Sequence, residues 1–202
     1  MSRLKQAWKW IVGVAILITC FLLVACNSKF DELQDIPPTV FSGGLVLKRD
    51  LAYHFGNQAG FNSVKIQIPT TAKILLVDGK FKSVDYYWFI KFNNWFKSLL
   101  HGNGIMALGE QTENLDCDNF AMMYKALMSV AAYKSGDQYE PATSLLVLRA
   151  DKEFGGIPGN GGLHMNVLVM TNRGWYVVEP QTGEFTLLEN YPNQHTVGIL
   201  LM

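Results

Sequence analysis

Leu115-Asp116-Cys117-Asp118-Asn119-Phe120-Ala121 is the stretch on which the reading of this 202-residue chain turns. A polar loop, residues 109–114, precedes it, and an apolar-periodic run follows. An acid, a thiol and a second acid therefore stand at the predicted start of a helix. That helix is expected from Asp116 or Cys117 to Lys134, with Phe120, Tyr124, Leu127 or Met128, and Ala131 on its buried face. Ser135-Gly136-Asp137 closes it. A helix N-terminus has unpaired N–H groups and about half a positive charge, so it favours an anion. The anion of a thiol is its nucleophilic form. The same N–H groups can stabilise the oxyanion made when a thiolate attacks a carbonyl. Asp116 and Asp118 work against this, because neighbouring carboxylates press a thiol towards its neutral form. They are also natural N-cap and first-turn residues.

The flanks read as strands and one further helix. Leu45–Leu47 and the alternating Val64-Lys65-Ile66-Gln67-Ile68 are predicted strands. Lys73–Val77 is a third, ending at the turn signal Asp78-Gly79. Ser83–Leu100 takes helical spacing, with Trp88, Phe92, Trp95 and Leu99 as one stripe, Ser83 as N-cap and His101-Gly102 as its end. That stripe reads as a core face, whereas Tyr86 and Tyr87 are candidates for a cleft. After the Cys117 helix the pattern is strand-like: Leu145–Leu148, His164–Met170, Trp175–Val178 and Phe185–Leu188. Asn172-Arg173-Gly174 and Gln181-Thr182-Gly183 are predicted turns. Helices followed by an antiparallel meander read as α+β. Gly155-Gly156-Ile157-Pro158-Gly159-Asn160-Gly161-Gly162 lacks the Gly-Lys-Ser/Thr ending of a phosphate loop. It is expected to be a mobile connection, placed to act as a flap beside His164.

Residues 1–25 have the layout of a secretory signal: basic Arg3, Lys5 and Lys9, then the uncharged run Trp10–Ala25. The run is short for a membrane span of roughly 20 residues. Leu23-Val24-Ala25-Cys26 resembles the bacterial lipobox, which implies cleavage before Cys26 and acylation of that cysteine. Residues 26–43, with Pro37-Pro38, are then the lipidated Cys and tether, and residues 44–202 a single domain. The resemblance implies attachment to the membrane through the N-terminal lipid. Asn27 stands where an Asp would be a retention signal, which implies the periplasmic face of the outer membrane in a Gram-negative cell envelope. The chain has 17 basic and 17 acidic residues. Losing residues 1–25 removes three of the basic ones, so the remainder is mildly acidic and does not suit nucleic acid.

Cys20 falls within the signal and Cys26 is the lipidated position. Cys117 is then the one free thiol of an exported chain, and nucleophilic catalysis is the sharpest reason for it. Of four histidines, His54 lies in an unpatterned stretch, His101 at a helix end and His195 in a Pro/Asn-containing tail. His164 begins an apolar strand. Glu179 ends the next one, Trp175-Tyr176-Val177-Val178-Glu179-Pro180, a costly place for an unpaired charge. In a hairpin about Asn172-Arg173-Gly174 the two lie near one sheet end, where a carboxylate can orient the imidazole. Paired Cys and His-x-x-x-His are missing, so a zinc site is not expected.

Asp-Cys-Asp-Asn-Phe-Ala at a helix start, His on a strand and Trp-Tyr-Val-Val-Glu-Pro on the next resemble the transglutaminase-like cysteine-peptidase superfamily. The resemblance covers about residues 84–188. It implies a papain-like/transglutaminase-like core, with the Cys-bearing helix packed on an antiparallel sheet. It implies Cys117 as nucleophile, His164 as general base and acid, and Glu179 as orienting acid, where the family usually has Asp. Gln111, six positions before Cys117, is the implied oxyanion-hole candidate, with Asn166 and Gln181 as alternatives. No cofactor is implied. Asp116 and Asp118 are calcium candidates, although Asn119 stands where another acid is often found.

The resulting expectation is a lipid-anchored cysteine peptidase or amide-bond acyltransferase acting through a thioester. Its partners would be peptide or protein substrates of the cell envelope. The alternatives are a non-catalytic binding module on the same fold, with Cys117 a small buried residue, and an NlpC/P60-type cell-wall amidase.

Overall fold

Strand Lys80–Val84 ends one residue before Asp85, and Asp85 starts the first helix among the described residues. Its carboxylate accepts the N–H groups of Tyr87 and Trp88 at 2.9 and 3.0 Å, the geometry of an N-cap. In this computed structural model the described residues are 35–47, 73–75, 80–105 and 116–201. The signal, Cys26, His54, the predicted strand Val64–Ile68 and Gln111 lie outside them. Pro37–Met202 belong to one compact unit. Along the chain run β1 (Phe41–Leu47), β2 (Lys73–Leu75), β3 (Lys80–Val84), α1 (Tyr86–Gly102) and α2 (Cys117–Ser135). Then come β4 (Glu140–Pro141), β5 (Thr143–Arg149), β6 (Leu163–Thr171), β7 (Gly174–Glu179), β8 (Glu184–Leu187) and β9 (Val197–Leu201). Two short 3-10 turns, Leu188–Asn190 and Gln194–Thr196, lie between β8 and β9. Among the described residues no helix is long and apolar enough to cross a membrane.

The strands join in one sheet, ordered β1-β3-β6-β5-β9-β2, with β4 beside β3 and with β7 and β8 continuing from β6. This corrects the expected papain-like/transglutaminase-like core with an antiparallel sheet, because the sheet is mixed. β2 runs parallel to β9, and β3 runs parallel to both β4 and β6. The pairs β5–β6, β6–β7 and β7–β8 are antiparallel, the last two joined by the short turns that antiparallel neighbours allow. The parallel pairs join segments far apart in the chain, and no local pattern encodes them.

The predicted helix over 83–100 is observed two residues later. Ser83 lies in β3 and donates to Ser42 O at 2.6 Å, so it is not the cap. The buried face of α1 is Trp88, Phe89, Phe92, Asn93, Phe96 and Leu100, rather than the Trp88-Phe92-Trp95-Leu99 row. Tyr124 of α2 packs edge-on to Phe92 and Phe96, with ring centroids 5.1 and 4.8 Å away. Its hydroxyl donates to Asn93 Oδ1 at 3.3 Å. Lys125 ties α2 to the sheet through Thr143 O at 3.3 Å. A second cluster, including Phe81, Leu146, Leu148, Leu168, Trp175, Val177, Tyr191 and Leu200, is the apolar core of the sheet.

Candidate active site

Cys117 is the first residue of α2, half-buried and not in a disulfide. Asn119 helps shape this end: its Oδ1 accepts the Asp116 N–H at 3.3 Å, and its own N–H goes to Asp118 Oδ1 at 3.0 Å. Asp116 and Asp118 also engage each other. Their shared hydrogen bond lowers the pKa of Asp116 and raises that of Asp118, with desolvation also raising Asp118. Their largest interaction is thus mutual. Among the described residues no group of three or more His, Cys, Asp and Glu is arranged to hold a metal.

His164 and Glu179 are brought together by strand register. Val167 pairs with Val178, so Asn166 and Glu179 come opposite each other, and His164 lies two residues further along β6. The end of β7 is fixed by its turn. Gly183 N–H donates to Glu179 O at 2.7 Å, and Asn93 Nδ2 donates to Gly183 O at 2.7 Å, which pins the turn to α1. A Cβ on Gly183 would lie 2.2 Å from Lys97 Cδ, and its φ is +70°. The positive φ calls for glycine there, whereas the exposed Lys97 side chain can move aside.

His164 is 8% exposed and Glu179 0%. Their side chains meet at 2.6 Å, His164 Nε2 to Glu179 Oε2. A carboxylate only accepts, so Nε2 carries the proton and donates it. Glu179 and the Cys117 thiol both raise the pKa of the ring through hydrogen bonding. With Nε2 committed to Glu179, Nδ1 is the nitrogen left for Cys117. Burial by itself pulls the imidazole pKa down. The hydrogen bonds to Cys117 and Glu179, with the charges of both, outweigh it and push the value up to about 9. This setting favours the imidazolium form of the ring.

Glu179 accepts further donors. Besides His164 these are Asn166 Nδ2 at 2.7 Å on Oε2 and the Gln181 N–H at 3.1 Å on Oε1. Asn166 is fully buried, and its Oδ1 accepts the Tyr191 hydroxyl at 2.6 Å. Asn166 therefore serves the acid rather than an oxyanion. On the aliphatic side, a Cβ built on Gly155 would lie 2.9 Å from Glu179 Cβ and 3.0 Å from its Cγ. The glycine-rich segment is a shaped turn here, with Phe154 and Ile157 exchanging backbone hydrogen bonds at 3.1 and 3.0 Å. Gly155 lies against the acid.

No protein-family profile matches the chain, and no curated protein does. Among solved structures the chain is similar to one described as "PSL1a-E64 complex" at 14% identity and a TM-score of 0.52. The likeness covers 78% of this chain and 50% of that one, so this chain spans half its length. At that identity the likeness shows a shared fold. A second structure, Polyporus squamosus lectin bound to a human-type influenza-binding epitope, is 16% identical and covers 63% of this chain and 42% of that one. Its TM-score of 0.42 is too low to carry an argument. The first of these structures is not named as a transglutaminase-like peptidase. With the mixed sheet, this withdraws the transglutaminase-like fold assignment.

Cys117, His164 and Glu179, named from the sequence, therefore do converge. Asn166 is present in a different role from the one weighed for it. Tyr191 and Gly155 were missed. Asn166 was within reach of sequence reasoning, because it shares a strand face with His164 at i+2. Tyr191 carried no such signal.

Proposed function

We propose that this chain is a thiol enzyme that cleaves or transfers amide bonds through a thioester on Cys117. The observation that supports it is the buried Glu179 carboxylate on Nε2 of His164, with the ring's other nitrogen left for a thiol at a helix start. A buried carboxylate has no purpose for apolar packing and costs several kcal/mol per ion to desolvate, roughly, unless paired. Here it holds an imidazolium beside a thiol, the setting that favours a thiolate.

In this reading the Cys117 thiolate attacks the amide carbonyl carbon, and an S–C bond forms. The oxyanion is met by N–H groups of the first turn of α2, apart from that of Asn119, which Asp118 accepts. The His164 imidazolium gives its proton to the leaving nitrogen as the C–N bond breaks, which leaves a thioester and a free amine. Neutral His164 then takes a proton from water or from a second amine, which attacks the thioester and releases the thiolate. Glu179 keeps the ring oriented and stabilises its cation throughout. Water gives hydrolysis and an amine gives transamidation. The same residues serve both.

We further propose that the chain works at a bacterial cell envelope, tethered by a lipid on Cys26, with envelope peptides or proteins as substrates. The lipobox-like Leu23-Val24-Ala25-Cys26 supports that placement. Incorporation of labelled palmitate that is lost in Cys26→Ala would test it.

The chemical test uses electrophiles. E64, named with the structure of shared fold, joins iodoacetamide as a probe. Cys117 is expected to label at least ~10-fold faster than a free thiol near neutral pH, and His164→Ala to abolish the difference. If the wild-type thiol reacts no faster than glutathione and His164→Ala changes nothing, the reading fails and a binding module on this fold takes its place.

A further inference from the structure

Glu179 is held by more than the histidine it serves. Its Oε2 is shared by His164 Nε2 at 2.6 Å and Asn166 Nδ2 at 2.7 Å. Because the carboxylate only accepts, the Asn166 group facing it must be the NH₂, and Oδ1 must point away. Oδ1 points at the Tyr191 hydroxyl, 2.6 Å away, which donates to it. Burial raises the pKa of Tyr191 well above the tyrosine range, so this donor stays protonated. Asn166 and Glu179 are fully buried and Tyr191 is 1% exposed, so water does not substitute for either bond. Phe154 packs edge-on to the Tyr191 ring at 5.0 Å and fixes its position.

We propose that Tyr191 and Asn166 are positioning residues for the acid of the site. Tyr191 locks the Asn166 amide in the one orientation that donates to Glu179, and this aims the carboxylate at His164 Nε2. The proposal rests on the thiol-enzyme reading for its purpose, but not for its test. An amide without the Tyr191 hydroxyl can turn over, and a turned amide presents an oxygen to a carboxylate. Glu179 would then swing from His164, and the imidazolium would lose one of the two partners that support it. The chain of bonds also accounts for Glu at 179. The longer side chain reaches Asn166, His164 and the Gln181 N–H together, at 2.7, 2.6 and 3.1 Å.

The test is a histidine ring titration by NMR on the full chain, in wild type, Tyr191→Phe and Asn166→Ala, with His164→Gln to assign the signal. Tyr191→Phe removes one oxygen and keeps the ring, so its fold is expected to persist by circular dichroism. The wild-type His164 ring is expected to titrate far above an ordinary histidine. Tyr191→Phe should lower that midpoint by about one unit, and Asn166→Ala by more. A role confined to packing would lower the melting temperature and leave the midpoint where it was. Tyr191→Phe titrating within ~0.2 unit of wild type overturns the proposal, whether or not Asn166→Ala folds. Labelling of Cys117 is measured on the same samples. A slow wild-type thiol together with a shifted Tyr191→Phe midpoint sinks the enzyme reading and supports the relay.

Discussion

The β6–β7 hairpin presents charge at both its ends, and the two ends behave differently. At the turn, Asn172 and Arg173 dock on the start of α1. Asn172 Oδ1 accepts the Tyr86 N–H at 2.9 Å, and its Nδ2 donates to Asp85 at 3.3 Å. The Arg173 guanidinium lies 4.6 Å over each of the Tyr86 and Tyr87 rings and donates to the Tyr87 hydroxyl at 2.8 Å. Tyr87 is 65% exposed. At the open end His164 and Glu179 meet the start of α2 with hardly any exposure. The same strand pair thus brings polar groups to two helix N-termini. In water the cation is free to stay charged and its contacts are worth little. Out of water each charge depends on its partners, and that dependence can set a proton's place. Tyr86 and Tyr87, read from sequence as cleft residues, belong to the wet end.

This contrast can be broken from either side. The largest effect is expected from Glu179→Ala, which strands the His164 ring and Asn166 amide in a buried site. A loss of about 3–5 kcal/mol in urea unfolding is expected, as for removal of one partner of a buried pair. A loss under ~1 kcal/mol, the scale of exposed pairs, would put the two ends on the same footing.

The pH dependence follows from the same pair. The folded pKa of His164, about 9, lies above its ordinary 6.5. Its contribution to stability is fully present below pH 6.5 and is lost as pH rises through about 9. Unfolding free energy measured from pH 6 to 10 should fall across that window, and Glu179→Gln should flatten the fall.

Next in size is Gly155→Ala. The new Cβ meets Glu179, and the backbone there has φ +61°. A cost of about 1–3 kcal/mol is expected, together with a lower His164 midpoint. A cost without any change in the midpoint would show that Gly155 shapes the turn but not the acid. The smallest effect is assigned to Arg173→Ala, about 0.5–1 kcal/mol by thermal melt, with labelling of Cys117 and titration of His164 untouched. A slower Cys117 would show that the two ends communicate along the hairpin.

Much of the local structure was legible. α2 starts at Cys117 and ends before the left-handed Gly136, and β6 and β7 lie within a residue or so of the predicted runs. Capping residues, periodicity and turn glycines encode these within a few positions. α1 shows how that signal errs. Ser83 is a good cap by type, but its hydroxyl is taken by Ser42 across the sheet, and Asp85 caps instead. The strand that Ser83 belongs to, and β9 at the end of the chain, are stabilised by partners distant in sequence. β9 lies between β5 and β2, pairing antiparallel with one and parallel with the other. Neither its place nor the parallel pairings could be read locally, and the expectation of an antiparallel sheet failed there.

The sequence by itself determined which side chains could do chemistry and on which elements they ride. It named a thiol at a helix start, an imidazole on one strand and a carboxylate at the end of the next, because helix starts and strand alternation are short-range properties. Only the tertiary structure decided what those groups are. It put Glu179 wholly out of water, gave it Asn166 and the Gln181 N–H as further donors, and set Tyr191 behind Asn166. A pKa depends on every charge, donor and layer of protein within several ångströms. Those neighbours come from β6, β7, α2 and the turn after β8, which only folding brings together.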